Sequence, residues 1–504
     1  MPVDVAWVNY NPRAIARGYW DNELPERILG GQRHYEQQGG DVLADGIVLV
    51  VPGQHNAGYV TELNALMSQY DWVLLMVTGD EEGLFPWKDL EHPNMKTWAF
   101  APNSPDAFQA DRLLPFGPTP HGFTDLPKTL DWFFAGQINT PERKAMAEAL
   151  NRLPGGKLVE TDGFARGLSP EDYVTVMNRA RVVPCPPAWK HPDTFRVWEA
   201  LDAGAVPLIG MDGYFERLGL DNLLRVHTWD VLPEVLRFNT PSEWDYEATR
   251  CKAWWIRQQY EYRRWLRADI LELGGPDVAP DITVIMPTSP IESHPSVYVI
   301  NETLNSVSSR LAAPVIVMCD GVRPEQEHYR PRYEEYLREL VRLPGVVPLM
   351  FEEFTHQANM TRRALELVDS EFVLFVEHDT PLVGDIPWDT LMGGLDEFDV
   401  IRLLHETDVL PEHAYLHADH PRNGFLRTQQ WSQRPHLART DYYRRIIADN
   451  FTFESRTMIE DTMHSKAQLY PEDHRIGIYY PDGSKLRSTH LDGRGSDPKF
   501  EMIP

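Results

Sequence analysis

Short, uninterrupted apolar runs recur along this chain and alternate with stretches of helical spacing. Gly46-Ile47-Val48-Leu49-Val50-Val51 ends at Pro52-Gly53, and Trp72-Val73-Leu74-Leu75-Met76-Val77 follows. Between them, Leu63, Leu66 and Met67 share one face of a helical segment over 59–70. A strand without polar alternation must be covered on both faces, and a helix between two such strands supplies the crossover. The pattern therefore predicts parallel sheets with helices on both sides. At 504 residues the chain exceeds a single core, which predicts two or three domains.

The punctuation divides the chain into three α/β regions. The first, 1–127, also carries the strand Val3–Val8. The second, 128–273, opens on Trp132-Phe133-Phe134-Ala135-Gly136. Thr140 then stands as an N-cap with Pro141 at the first helical position. Further on come a strand over 180–183, a helix over 194–203 closed by Gly204, and a strand over 206–209. A long amphipathic helix over 246–273 ends this region, and Gly274–Asp281 reads as a linker. The third region, 282–504, starts with Ile282-Thr283-Val284-Ile285-Met286.

Composition excludes several classes. A net charge of −27, spread along the chain, disfavours non-specific grip on nucleic acid, which depends on neutralising phosphates. No run approaches the roughly 20 apolar residues of a membrane span. The opening MPVDVAWVNYNPRA does not pair a basic with an apolar segment, as a signal peptide does. Cys185, Cys251 and Cys319 lie too far apart for a metal-type spacing and fit a reducing compartment. The expectation is a soluble, cytoplasmic chain.

Two constellations carry chemistry. In the third region the apolar strand Phe372–Val376 runs into Glu377-His378-Asp379, which puts two acids at the carboxyl end of a sheet. Ligands bind at that edge in open α/β sheets, and an acid there can hold a divalent metal and, through it, a diphosphate. In the second region Arg143 follows the strand ending in Ala135-Gly136. Lys190 and His191 occupy a loop, and Arg196 and Glu199 share one helix face. Arginine and lysine beside a helix N-terminus suit an anion, and a glutamate on that face can accept from ribose hydroxyls. Taken alone, Arg196 and Glu199 equally describe a surface pair.

The stretch FFAGQINTPERKAMAEAL, then EDYVTVMNRARVVPCPP, then DTFRVWEALDAGAVPLI resembles the second lobe of exostosin-type glycosyltransferases of GT-B fold, over about 100 residues. Arg143, Arg196, Glu199, Gly204 and Pro207 match position by position. The first lobe matches in pattern only, with His55 and Asp80 as possible acceptor-side groups. From residue 282 onward the order resembles an inverting GT-A glycosyltransferase. That resemblance implies Thr288 in a nucleobase loop, Asp320 at base or ribose, Arg362 and Glu377 at the donor, and Asp379 and His490 on Mn²⁺ or Mg²⁺. It implies the pair Glu460-Asp461 as catalytic, with Asp461 the base, placed just before a helix. Trp388, Asn423 and Trp431 are candidates for an acceptor pocket.

The resemblances together imply a two-lobed Rossmann-like GT-B unit followed by a GT-A nucleotide-diphospho-sugar transferase domain. The implied activity is inverting transfer from a nucleotide sugar to an acceptor hydroxyl on a glycan, a protein or a modified nucleobase. Exostosins carry a membrane anchor; its lack here suggests a prokaryotic or viral source. The rival reading is a catalytically inactive nucleotide-sugar or glycan-binding scaffold. A nucleotidyltransferase shares the strand-acid-metal logic but has no evident need for the late Glu-Asp pair.

Overall fold

The computed structural model describes residues 3–7, 33–35, 44–51, 59–80, 83, 85–100, 110–117, 127–163, 166–188, 191–211, 213–220, 222–405, 411–481 and 485–491. The chain forms two compact units, Met1–Val278 and Ala279–Pro504. Both are mixed α/β. Among the described residues no helix is long and apolar enough to cross a membrane.

The first unit contains two parallel sheets. One runs β2-β1-β3-β4-β5-β6, with β1 Asp4–Trp7, β2 Arg33–Tyr35, β3 Gly46–Val51, β4 Trp72–Val77, β5 Met95–Phe100 and β6 Arg112–Leu114. Every residue of β3 and β4 is buried, as uninterrupted apolar runs require. The other runs β11-β10-β9-β7-β8, with β7 Leu130–Gly136, β8 Lys157–Glu160, β9 Ala180–Pro184, β10 Val206–Gly210 and β11 Leu224–Val226. Thr140 caps the helix Pro141–Leu150 by accepting from the Arg143 backbone N–H, with Pro141 at its first turn.

The long helix starts earlier than its apolar pattern suggests, at Pro241 rather than 246, and runs to Glu272. Thr240 and Glu243 form a reciprocal capping box that fixes this start, a short signal that apolar periodicity does not reveal. The far end of the helix is tied to the first sheet by Asp269, which is 2% exposed. Its carboxylate accepts from Arg112 Nε (2.7 Å) and Nη2 (3.1 Å), Lys96 Nζ (2.9 Å) and Trp98 Nε1 (2.7 Å). Burial alone raises this pKa, but the hydrogen bonds from Arg112, Lys96 and Trp98 outweigh it, so the group ends below its ordinary value. A depressed folded pKa gives stability that is present above the unfolded value, about 3.9, and lost as the pH falls through the folded one. Asp269→Asn is expected to lower the unfolding free energy by about 2 kcal/mol at pH 7, because it weakens the charged hydrogen bonds from Arg112 and Lys96, both only partly buried. In urea titrations the gap from wild type should narrow below about pH 4.

The second unit is built on one mixed eight-stranded sheet, β14-β13-β12-β15-β18-β16-β19-β17. Its strands are β12 Ile282–Thr288, β13 Val315–Cys319, β14 Val346–Met350, β15 Phe372–Phe375, β16 Val400–Arg402, β17 Phe425–Thr428, β18 His436–Arg439 and β19 Ile476–Tyr479. The first four positions in that order are parallel, and β15 pairs antiparallel with β18. The chain winds from β12 outward to β14, then returns to place β15 on the other side of β12. The switch in winding direction therefore falls between β12 and β15, the kind of position at which ligands bind in open α/β sheets.

The helix that carries Arg362 spans Gln357–Leu365, with His356 at its N-cap in a positive-φ conformation. One helix start in this unit differs from the sequence reading: the helix Ile459–Leu469 holds Glu460 and Asp461 inside its first turn rather than ahead of it.

Candidate active site

Glu377, His378 and Asp379 leave the end of β15 through a tight turn, in which the Thr380 N–H and hydroxyl both donate to the Glu377 carbonyl (3.1 and 3.0 Å). Residues 487–491 return alongside this turn. Val383 N–H donates to Arg487 O (2.9 Å), Thr489 N–H to Pro381 O (3.0 Å) and Leu491 N–H to Asp379 O (2.8 Å). That pairing carries His490 to the acids: its Nε2 lies 3.3 Å from Asp379 Oδ2. An acid and an imidazole more than 100 residues apart in sequence are thus adjacent through backbone hydrogen bonds, with both side chains largely buried.

The electrostatics reflect crowded negative charge. Burial first, then Asp379, raises the Glu377 carboxyl to about 7; Arg434 opposes the shift and Glu460 adds to it. Asp379 is pushed up by burial but drawn down further by His378 and His490, and ends below its ordinary value.

A cavity of about 400 Å³ opens beside these acids. Glu377 and Glu460 line it, with Arg402, His405, Gln433 and Arg434 among the other wall residues. Glu460 Oε2 accepts from the Gln433 backbone N–H (3.2 Å), which aims that carboxylate at the cavity. Asp461 is exposed, lies outside the lining, and accepts from the Thr457 hydroxyl (3.3 Å). Neighbours in sequence, the two acids have different surroundings because consecutive helical residues point about 100° apart.

Other predicted donor-site residues have structural partners. Asp320 directly follows β13, and its carboxylate accepts from the backbone N–H groups of Thr355 (2.7 Å), Gly321 (2.9 Å) and His356 (3.2 Å). It clamps two loops together, and a Cβ on Gly321 would sit 2.2 Å from the Glu353 carbonyl carbon. The Thr288 hydroxyl pairs with that of Tyr336 (3.0 Å). Arg362 donates to Phe451 O (2.6 Å) and lies over the Phe453 ring, so it secures a loop and does not line the cavity. Trp388 donates to Arg310 O, Asn423 adopts the left-handed region before Gly424, and Trp431 packs on Tyr442 and His436. None of these three lines the cavity.

In the first unit, Arg143 and Arg196 come together past the end of β7. Arg196 Nη2 donates to Ala135 O (2.7 Å) and its guanidinium lies 4.4 Å from the Phe134 ring centroid. Gly136 permits this approach, since a Cβ there would meet Arg196 Nη2 at 2.7 Å. Arg143 donates to Pro187 O and Gln137 O. Burial, then the charge of Arg196, lowers its pKa to about 10. Glu199 is buried and accepts from the Tyr173 hydroxyl (2.6 Å). Asp80 accepts from the Phe85 N–H (2.9 Å) and so shapes its own loop. His55 and Lys190 lie outside the described residues.

The wall residues Arg402, His405, Gln433 and Arg434 escaped the sequence reading. Arg402 is a cation inside the otherwise apolar run Val400–Leu404, and Gln433-Arg434 sits just ahead of the buried strand β18. Polar residues abutting buried strands are the trace they leave.

No family model matches this chain, and no curated protein does. Solved structures give partial matches. TarS from S. aureus aligns with 19% identity and a TM-score of 0.28, over 42% of this chain and 36% of that one. GalNAc-T7 with UDP, GalNAc and Mn²⁺ aligns with 9% identity and a TM-score of 0.31, over 44% and 45%. The mannosyltransferase PcManGT from Pyrobaculum calidifontis, in complex with GDP-Man and Mn²⁺, aligns with 17% identity and a TM-score of 0.28, over 50% and 69%. The chain thus spans little more than a third of TarS and under half of GalNAc-T7. At such scores the functional reading rests on the geometry of the site.

Proposed function

We propose that the second unit transfers a sugar from a nucleotide-sugar donor to an acceptor hydroxyl, with inversion at the anomeric carbon. The observation that carries this reading is that Glu377 and Glu460 line one cavity while Asp379, two residues on from Glu377, pairs with His490. Asp379 and His490 supply an oxygen and a nitrogen ligand suited to Mn²⁺, or to Mg²⁺ with more water, and the piled-up negative charge around Glu377 fits a cation. Such an ion, when bound, screens the charge of a diphosphate leaving group. Among the described residues no group of three or more His, Cys, Asp or Glu is placed to hold a metal ion, so an ion held by Asp379 and His490 would take its other ligands from donor oxygens and water.

Glu460 is the group placed to act as base. It takes the acceptor's hydroxyl proton as the new C–O bond forms and the bond to the diphosphate oxygen breaks on the opposite face. Its main-chain tether to Gln433 holds the carboxylate toward the cavity. Asp461 is the second candidate of the pair, and its exposed position suits helix capping better. NMR of the first sugar released or transferred tests the stereochemistry. Inversion relative to the donor is expected; retention contradicts single displacement. A catalytically inactive scaffold predicts no sugar release at all.

A second nucleotide site in the first unit is favoured by one observation. Burial, then the nearby charge of Arg196, lowers the Arg143 pKa, and among the described residues both guanidinium groups donate to main-chain carbonyls. Two adjacent cations gain most from a diphosphate. With metal removed by EDTA, the full chain is expected to bind UDP or GDP, and Arg196→Ala to weaken that binding at least tenfold by calorimetry. Equal affinity in the variant removes this second site.

A further inference from the structure

Gln433 is 3% exposed, lines the cavity, and among the described residues finds no hydrogen-bond partner for either amide atom, Oε1 or Nε2. A buried amide with neither end satisfied is destabilising in the ligand-free protein, and native chains keep few such groups. The same wall holds a second orphan, Nδ1 of His417. Burial, then the charges of Arg402 and His413, lowers the pKa of this imidazole to about 4, so it is neutral near pH 7. His405 is also neutral, lowered to about 3 by burial and then by Arg434. The Gln433 amide and His417 Nδ1 thus put a neutral donor-and-acceptor set on the cavity wall.

Resting on the transferase reading above, we infer that this cavity holds an uncharged sugar ring and that Gln433 reads one of its hydroxyl groups. The amide can accept from a hydroxyl through Oε1 while Nε2 donates to the same or a neighbouring oxygen. His417 Nδ1 offers one further polar contact on the same wall. A site built to hydrogen-bond a hydroxyl rejects analogues lacking it far more strongly than an apolar pocket rejects a missing methylene. The unsatisfied amide costs the empty protein stability and is kept for the ligand, the trade-off expected of a binding residue.

The test compares wild type with Gln433→Leu and Gln433→Glu in the full chain. Melting temperature is measured without ligand. Hydrolysis kcat/KM is measured with Mn²⁺ for UDP- and GDP-hexoses, their monodeoxy analogues and UDP-glucuronic acid. The inference expects Gln433→Leu to melt no lower than wild type, and its kcat/KM for the preferred hexose to fall at least tenfold. One deoxy analogue that wild type disfavours should become equivalent to the parent sugar in the variant. Gln433→Glu, of nearly the same shape, should also lose activity, because its carboxylate cannot donate. A Leu variant that melts lower with unchanged discrimination overturns the role of Gln433 and makes it a packing residue. A wild-type preference for UDP-glucuronic acid overturns the uncharged-ring assignment. If wild type turns over no donor, the transferase reading fails by itself. The Gln433 inference is then decided by thermal shift with the same sugars: stabilisation of wild type lost in Gln433→Leu supports it, and identical shifts overturn it.

Discussion

Asp379→Ala is expected to remove metal-stimulated donor turnover while the protein stays folded. A cation screening a departing diphosphate supplies several kcal/mol of transition-state stabilisation. At about 1.4 kcal/mol per tenfold in rate, the loss should be on the order of 10³-fold. The fold should survive because the contact that docks the returning segment uses the Asp379 main-chain carbonyl, which accepts from the Leu491 N–H at 2.8 Å. The side-chain contact to His490 disappears. Steady-state donor hydrolysis across a Mn²⁺ titration, with circular dichroism as the folding control, checks this. A variant with wild-type turnover and the same Mn²⁺ dependence would show that the ion binds elsewhere.

The second large effect separates the two members of the Glu-Asp pair. Glu460→Gln keeps the shape and one acceptor oxygen for the Gln433 N–H, but cannot take a proton. General-base assistance is worth about 10²–10⁴-fold, and kcat of transfer should fall by that order. Donor KM should stay near wild type, since the base acts on the acceptor. Asp461→Asn should cost less than about tenfold, because Asp461 is exposed and bonds only the Thr457 hydroxyl among the contacts described. Single-turnover rates with saturating donor distinguish the two. The reverse ranking would return the role of base to Asp461 and require the helix to present its other face.

Much of the scaffold was legible because its signals are local. Completely buried strands such as Gly46–Val51 show as unbroken apolar runs, and Thr140-Pro141 marks a helix start by side-chain chemistry alone. The strand Phe372–Phe375 followed by Glu377 and Asp379 was legible for the same reason. The orientation of Glu460 and Asp461 was not, since a shift of one residue in the helix start turns each side chain by about 100°. Nor was the cavity wall. Arg402, Gln433 and Arg434 meet Glu377 only because β18 runs antiparallel between β15 and β16, a pairing set by long-range packing. Thr288 and Arg362 show the opposite limit: residue type and order fitted a donor site, yet Tyr336 and the Phe451 carbonyl engage them.

The central claim is that the edge holding Asp379, His490 and Glu460 performs metal-assisted transfer from a nucleotide sugar. The most direct measurement is release of UDP or GDP from a panel of nucleotide sugars by the full wild-type chain, with Mn²⁺ and with EDTA. The account predicts turnover of at least one donor with Mn²⁺ and its loss in EDTA, restored by adding Mn²⁺ back. Turnover at the same rate in EDTA, or binding of donors without any release, would contradict it.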